Sequence, residues 1–186
     1  ADMTGFTCCN GTALESSTKL QNSIYFKNKD NSALYVNLFV PSTLEWIEKN
    51  ITVEQKTAFP KEDNTQLTIK GKGKFDLNIR VPQWATKGFF VKINGKTEKV
   101  KAEPGTYLTL SRKWKDGDVV GIEMPFQFHL NPVMDQQNIA SIFYGPVLLV
   151  AQETEPRNDW RKVTLDAEDI GKSIQGNPET LQFTID

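Results

Sequence analysis

The stretch FDLNIRVP, residues 75–82, is the clearest indication of how this 186-residue chain folds. Its apolar side chains occupy every second position, at Phe75, Leu77, Ile79 and Val81. The positions between them are polar, at Asp76, Asn78 and Arg80. Because successive side chains of a β-strand point to opposite faces, this alternation predicts a strand with one buried and one solvated face.

Similar segments continue on both sides of this strand. The candidate strands are residues 23–27, 33–41, 50–59, 65–71, 75–82, 89–95, 106–112, 118–125, 127–133, 139–152 and 181–186. Asn94-Gly95 and Asp116-Gly117 are turn pairs of the kind that close β-hairpins. Short strands at nearly regular spacing predict an all-β fold, an antiparallel β-sandwich or jelly-roll.

Two segments late in the chain depart from this alternation. Residues 139–152 are almost continuously apolar, which predicts a central strand buried on both faces and bent at Gly145-Pro146. The polar segment 153–179 contains EPRND and GNP, and we expect a long surface loop there.

The N-terminal segment, residues 4–20, is the one place where a helix is predicted. Thr12 followed by Glu15 has the spacing of a capping box, in which each residue's side chain bonds a free amide of the first turn. Such a helix is only about three turns long, and isolated helices of this length are marginal in water. We therefore expect it to need a packing partner.

Both cysteines of the chain, Cys8 and Cys9, stand directly before this predicted helix. A vicinal disulfide would be strained, because neighbouring Cα atoms lie about 3.8 Å apart and disulfides prefer about 4.4–6.8 Å. Two buried thiols acting as small apolar residues are a second interpretation. A metal or catalytic pair is the third, since a helix N-terminus stabilises thiolates. Zinc takes four ligands, and the single histidine, His129, lies far along the chain, so the sequence holds at most half of such a site.

Several classes of function are excluded by charge and hydropathy. The net charge of −1 provides no basic surface for nucleic acid or an anionic membrane. No apolar run reaches the length of a membrane span, and no basic segment followed by an apolar one marks a signal peptide. We expect no nucleic-acid or membrane partner, and location in a bacterial periplasm or cytoplasm stays open.

Other residues with a conceivable role have simpler structural explanations. The four tryptophans could stack on sugar rings, but we expect Trp84 and Trp114 to pack at the ends of the sandwich, while Trp46 and Trp160 are undecided. Asp116 and Asp118 are explained by hairpin chemistry better than by calcium binding. His129 is expected to be an ordinary strand residue.

A set of longer motifs resembles one known family. They are GFTCCNGTALESSTKLQNSIYF, ALYVNLFVPSTLEW, TAFP, LNIRVPQWA, VKINGK, YLTLSRKWKDGDVVGIEMPF and YGPVLLVAQ. In order and spacing these segments look like the C-terminal part of the β-L-arabinofuranosidase-like glycoside hydrolases. The resemblance extends to about Gln152, and its most specific element is the Cys-Cys-Asn-Gly motif that precedes the helix.

The resemblance implies a catalytic (α/α)₆ barrel followed by β-sandwich domains. Cys8 would be the nucleophile and would form a thioglycosyl intermediate. Cys8 and Cys9 would both ligate zinc, together with a Glu and a Cys upstream of this sequence, and another upstream Glu would be the acid/base. Physically, a thiolate held by zinc can replace the nucleophilic carboxylate that most glycosidases use.

We therefore predict two parts, residues 1–23 as the terminal loop and helix of a truncated catalytic barrel, and residues 24–186 as a β-sandwich domain. The intact enzyme is expected to bind zinc and to act on arabinose-containing glycans, with the upstream barrel of the same polypeptide as a partner. The chain alone is expected to be inactive and to lack zinc. A homo-oligomer remains open, and the alternative function is a stand-alone carbohydrate-binding or structural β-module.

Overall fold

The computed structural model describes residues 7–152, 162–166 and 169–185. One α-helix, α1, spans Thr7–Lys19, and short 3₁₀ turns occur at Gln21–Ser23, Ile47–Lys49 and Ile170–Ser173. The strands are β1 Tyr25–Lys27, β2 Ala33–Val36, β3 Ser42–Trp46, β4 Ile51–Thr57, β5 Asn64–Lys70, β6 Gly73–Arg80, β7 Phe90–Ile93, β8 Lys96–Glu98, β9 Tyr107–Trp114, β10 Asp118–Glu123, β11 Phe128–Val133, β12 Gln136–Tyr144, β13 Val147–Leu148, β14 Ile174–Asn177 and β15 Gln182–Ile185. No helix in these ranges is long and apolar enough to cross a membrane.

The described strands form four sheets. A four-stranded sheet has the order β1-β2-β6-β9, and a six-stranded sheet has the order β3-β4-β5-β10-β7-β8. Strands β11, β12 and β13 form a small antiparallel sheet, and β14 pairs with β15. The prediction of an all-β fold is therefore confirmed.

The two larger sheets share one hydrophobic core, as a β-sandwich requires. In β6 the alternation seen in the sequence points Phe75, Leu77 and Ile79 into this core. Asn78, which the pattern assigns to the solvated face, is also buried, and it accepts a 2.6 Å hydrogen bond from the Thr109 hydroxyl of β9. A buried amide with a partner costs little, so the polar residue is tolerated there.

One pair of strands in the sandwich is parallel, unlike the antiparallel pairing expected from the sequence. Strand β2 runs parallel to β6, with Leu34 opposite Leu77, whereas β6 and β9 are antiparallel. Parallel neighbours need a long crossover connection. Here the crossover consists of β3, β4 and β5, which belong to the other sheet.

The segment 139–152 is not the doubly buried strand that its apolar composition predicts. Its residues divide between β12 and β13, which Gly145 and Pro146 connect by a turn, and every residue of β12 is exposed or half-buried. Phe183 of the two-stranded sheet contacts Phe128 and Tyr144 of this three-stranded sheet, but that contact leaves β12 without a fully buried residue. The expected loop over 153–179 is also interrupted, because its last part contains β14, while residues 153–161 lie outside the described residues.

Helix α1 begins earlier than the capping-box pattern predicts. It starts at Thr7, so Thr12 lies inside the helix instead of capping it, and Glu15 forms an ion pair with Lys19 one turn later. The side chain of Leu14 is 72% exposed, although a short helix depends on burial of its apolar face. The helix therefore derives little stability from the sandwich that follows it.

Candidate functional site

The two predicted site residues lie in the first turn of α1. Cys8 is the second residue of the helix and Cys9 the third, whereas the sequence pattern placed both just ahead of it. The first four amide groups of a helix have no partner within it, and its N-terminal end carries a partial positive charge. The shifted boundary places the backbone of both residues at this end of the helix.

Cys9 is exposed in this chain. That exposure contradicts the interpretation of the two thiols as a buried apolar pair, at least for Cys9. A sulfur that is accessible to solvent can meet a metal ion, an oxidant or a substrate, provided that other groups complete the site.

The described residues do not complete a metal site. They contain no group of three or more His, Cys, Asp or Glu side chains placed to hold one ion. His129 lies in β11, as predicted, where its ring stacks on Phe143 with 5.2 Å between centroids. Thiolates are common zinc ligands, but two cysteines provide only two of the four ligands that zinc takes.

The two aspartates considered for calcium have structural roles at the turn between β9 and β10. Asp116 accepts a 2.7 Å hydrogen bond from the amide of Gly71, and Asp118 accepts 2.8 Å bonds from the Asn94 side chain and the Lys115 amide. Burial opposes ionisation of Asp118, but these bonds, with nearby positive charges, hold its pKa below the ordinary value of 3.8. These bonds explain both aspartates as turn residues without calcium, but β9 and β10 lie in different sheets, so the hairpin expected at Asp116-Gly117 is wrong.

The described tryptophans are mainly packing residues. Trp46 and Trp114 are buried in the core, and both rings contact Phe75. Trp84 is half-buried in the loop between β6 and β7, as expected for an end of the sandwich. Trp160 lies outside the described residues.

Trp84 also lines an open cleft of about 450 Å³ that sequence reasoning did not identify. The cleft lies between the β6–β7 loop and the three-stranded sheet, and its polar residues include Gln83, Gln127, His129 and Asn131. Gln83 lies more than forty positions before Gln127 in the sequence, so only the folded chain brings these residues together. No local sequence signal marks them as one group.

Half of the chain matches a model of a known protein family. Residues 33–126, which extend from the start of β2 to just beyond β10, match the family described as β-L-arabinofuranosidase, GH127 middle domain. The chain belongs to the GH127 family. The matched residues contain every strand of the sandwich of this GH127 chain except β1, and helix α1 with its two cysteines precedes them.

Solved structures agree with this assignment. A protein described as a glycoside hydrolase has 26% identity and a TM-score of 0.67 over 80% of this GH127 chain. A GH127 β-L-arabinofuranosidase from Geobacillus stearothermophilus T6 has the same fold, with 24% identity and a TM-score of 0.66 over 76% of the chain. A GH127 β-arabinofuranosidase has 28% identity and a TM-score of 0.56 over 67%.

These solved proteins are much longer than this GH127 chain. The chain spans 26%, 23% and 23% of their respective lengths. A search of curated protein sequences gives no significant match.

Proposed function

We propose that this chain is the β-domain of a longer GH127 glycoside hydrolase that cleaves arabinofuranosides, and that Cys8 and Cys9 belong to its catalytic site. The observation that carries the assignment to a GH127 hydrolase is the family match over residues 33–126, whereas the roles of Cys8 and Cys9 rest on the Cys-Cys-Asn-Gly motif at the start of α1. The coverage of about a quarter of each solved relative supports the view that most of the catalytic machinery belongs to other parts of the polypeptide.

The sandwich contributes a rigid support instead of acid/base chemistry. Its two sheets share a core that includes Leu77, Val53 and Trp114, none of which is more than slightly exposed. This core keeps the domain in one shape, although no α1 residue whose side chain the structure describes belongs to it. Helix α1, which precedes this core, would complete its packing against the barrel that the family resemblance implies.

Within that site, Cys8 would act as the nucleophile. Its thiolate would form a bond to the anomeric carbon as the bond to the leaving oxygen breaks, and an acid outside the described residues would give that oxygen its proton. Water, deprotonated by the same group, would then release the sugar and restore the thiolate. The free amides at the start of α1 favour the charged sulfur that this step requires.

Cys8 and Cys9 are also the residues of this chain that would hold zinc. Zinc bound to both thiols would keep them deprotonated at neutral pH. Two further ligands would come from residues that precede this sequence. The chain by itself is therefore expected to hold zinc weakly and to have no hydrolase activity.

The test uses the full-length gene product and measures hydrolysis of an aryl L-arabinofuranoside together with zinc content. Cys8→Ser is expected to lower kcat by at least about a thousandfold, the scale on which other enzymes lose rate when a catalytic nucleophile is removed. Cys9→Ser is expected to lower both zinc content and activity. Ser16→Ala, an exposed change in the same helix, is the matched control and should retain both.

Two results would overturn this function. One is undiminished hydrolysis by the Cys8→Ser enzyme with normal folding. The other is hydrolysis by the 186-residue chain alone at a rate comparable with that of the full-length protein.

A further inference from the structure

The cleft beside Trp84 has the size and lining of a small-molecule site. Its volume of about 450 Å³ lies within the range of about 300–1,000 Å³ that is typical of ligand pockets. Three segments form it, namely the β6–β7 loop, the beginning of β11 and the turn between β12 and β13. A cleft at the junction of two packed units is a common location for binding sites.

The chemistry of the lining narrows the ligand class. None of the lining residues is Asp, Glu, Lys or Arg, so the cleft has no group that would pair with an anion or a cation. Its polar groups are the amides of Gln83, Gln127 and Asn131, the Thr86 hydroxyl and an imidazole. Amides both donate and accept hydrogen bonds, which matches the hydroxyl groups of a neutral sugar.

The aromatic residues supply the complementary apolar surface. Trp84 and Phe143 both line the cleft, and the ring of Phe143 is stacked with that of His129. Pyranose and furanose rings carry apolar C–H faces that pack against aromatic side chains, while the polar edge of the same sugar bonds to amides. The combination of aromatic rings and uncharged amides is therefore more suitable for a saccharide than for a wholly apolar ligand.

The wall around Trp84 is fixed in position before any ligand arrives. The Trp84 ring is stacked with Phe59, with 6.4 Å between centroids, and makes an edge contact with Phe126 at 5.5 Å. The Gln127 amide donates a 2.9 Å hydrogen bond to the Trp84 carbonyl oxygen and another to the Thr86 hydroxyl. These contacts tie the β6–β7 loop to the segment before β11, which lowers the entropic cost of binding.

The polar atoms of the opposite wall are available to a ligand. The side chains of Gln83 and Asn131 are exposed, and no hydrogen bond involves either amide within the described residues. The Nδ1 atom of His129 is buried without a hydrogen-bond partner in those residues. Because that atom has almost no accessible surface, the exposed side-chain amides of Gln83 and Asn131 are the polar groups that this wall offers to a ligand.

We infer that the β-domain binds a short neutral saccharide in this cleft, with Gln83 and Asn131 bonding to its hydroxyls and Trp84 contacting its ring. This binding does not involve Cys8 or Cys9, so its test is independent of the catalytic proposal.

The test is a titration of the 186-residue chain with arabino-oligosaccharides, followed by ¹H–¹⁵N NMR. The indole N–H signal of Trp84, assigned with Trp84→Phe, is expected to shift with saturation at millimolar ligand, a Kd of about 1 mM. The indoles of Trp46 and Trp114 are internal controls, because they are buried and bonded to Asn31 and to the Phe75 carbonyl. Oligogalacturonides of equal length, which carry carboxylates, should bind more weakly.

Variants identify the binding residues without disturbing the core. Gln83→Ala with Asn131→Ala is expected to weaken binding by about tenfold, through the loss of about two hydrogen bonds. Gln66→Ala, an exposed amide on β5 outside the cleft, is the matched control and should bind normally. Absence of a Trp84 shift with every neutral oligosaccharide at about 10 mM, ten times the expected Kd, would overturn the inference. Equal affinity of the double variant and the control would do so as well.

Discussion

Replacing Leu77 by Ala tests whether the two large sheets form one core to which α1 does not belong. Leu77 is fully buried in the middle of the four-stranded sheet, with Leu34 opposite it on β2 and Leu110 opposite it on β9. Strands on both sides hold the backbone, so the structure cannot close around the missing atoms. The expected loss is about 3–5 kcal/mol, in the upper part of the range for buried leucines.

The matched change is Leu14→Ala in α1. Leu14 is 72% exposed, so truncation removes little buried surface, and Ala has the higher helix propensity. The free energy of unfolding should therefore change by less than about 0.5 kcal/mol, the usual limit for surface substitutions. The two leucines differ in position alone, which makes their comparison informative about the packing of the helix.

Urea unfolding followed by tryptophan fluorescence measures both changes. Trp114 is fully buried against Phe75 and reports the loss of the core. With a slope of about 2–3 kcal/mol per molar urea, Leu77→Ala should lower the midpoint by about 1–2.5 M while Leu14→Ala leaves it in place. A cost for Leu14→Ala close to that for Leu77→Ala would refute the reasoning, because it would mean that α1 packs on the sandwich.

Three further predictions concern polar and backbone features. The pKa of Asp118 is lowered from 3.8, so ionised Asp118 contributes fully to the free energy of unfolding well above pH 3.8 and loses that contribution as the pH falls through its folded pKa. In thermal melts below about pH 4, the melting temperature should therefore fall less for Asp118→Asn than for the native chain. Gly145→Ala places a Cβ 2.6 Å from the Phe126 ring and should lower the free energy of unfolding by about 1–3 kcal/mol, as measured by thermal unfolding. Gly105→Ala, which is also at positive φ but has open space around it, should lower it by less. Gln55→Leu removes two hydrogen bonds to backbone carbonyls and should cost about 1–3 kcal/mol in urea unfolding; an unchanged midpoint would contradict this.

Local patterns predicted the elements of the sandwich well. The alternation at residues 75–82 corresponds to β6, and the Asn94-Gly95 pair forms the turn between β7 and β8 with both residues at positive φ. Such features depend on a residue and its immediate neighbours, and these are what a sequence displays. The Cys-Cys motif and the family resemblance also came from contiguous stretches.

Features that depend on distant segments were not predictable in this way. The parallel pairing of β2 with β6 is set by a crossover through the other sheet, and no residue of β2 encodes it locally. The apolar run 139–152 has the composition of a buried strand, yet burial depends on what covers a sheet. The cleft is assembled from the segments around Trp84, His129 and Gly145, whose separation along the chain hides their proximity.

Peptide mass spectrometry of the full-length enzyme, quenched in acid during turnover of an aryl arabinofuranoside, tests the central claim most directly. If Cys8 is the nucleophile, the peptide containing Cys8 and Cys9 carries one pentosyl group on Cys8, and the label disappears in Cys8→Ser. A pentosyl group on a carboxylate elsewhere in the protein, with none on Cys8, would contradict the account.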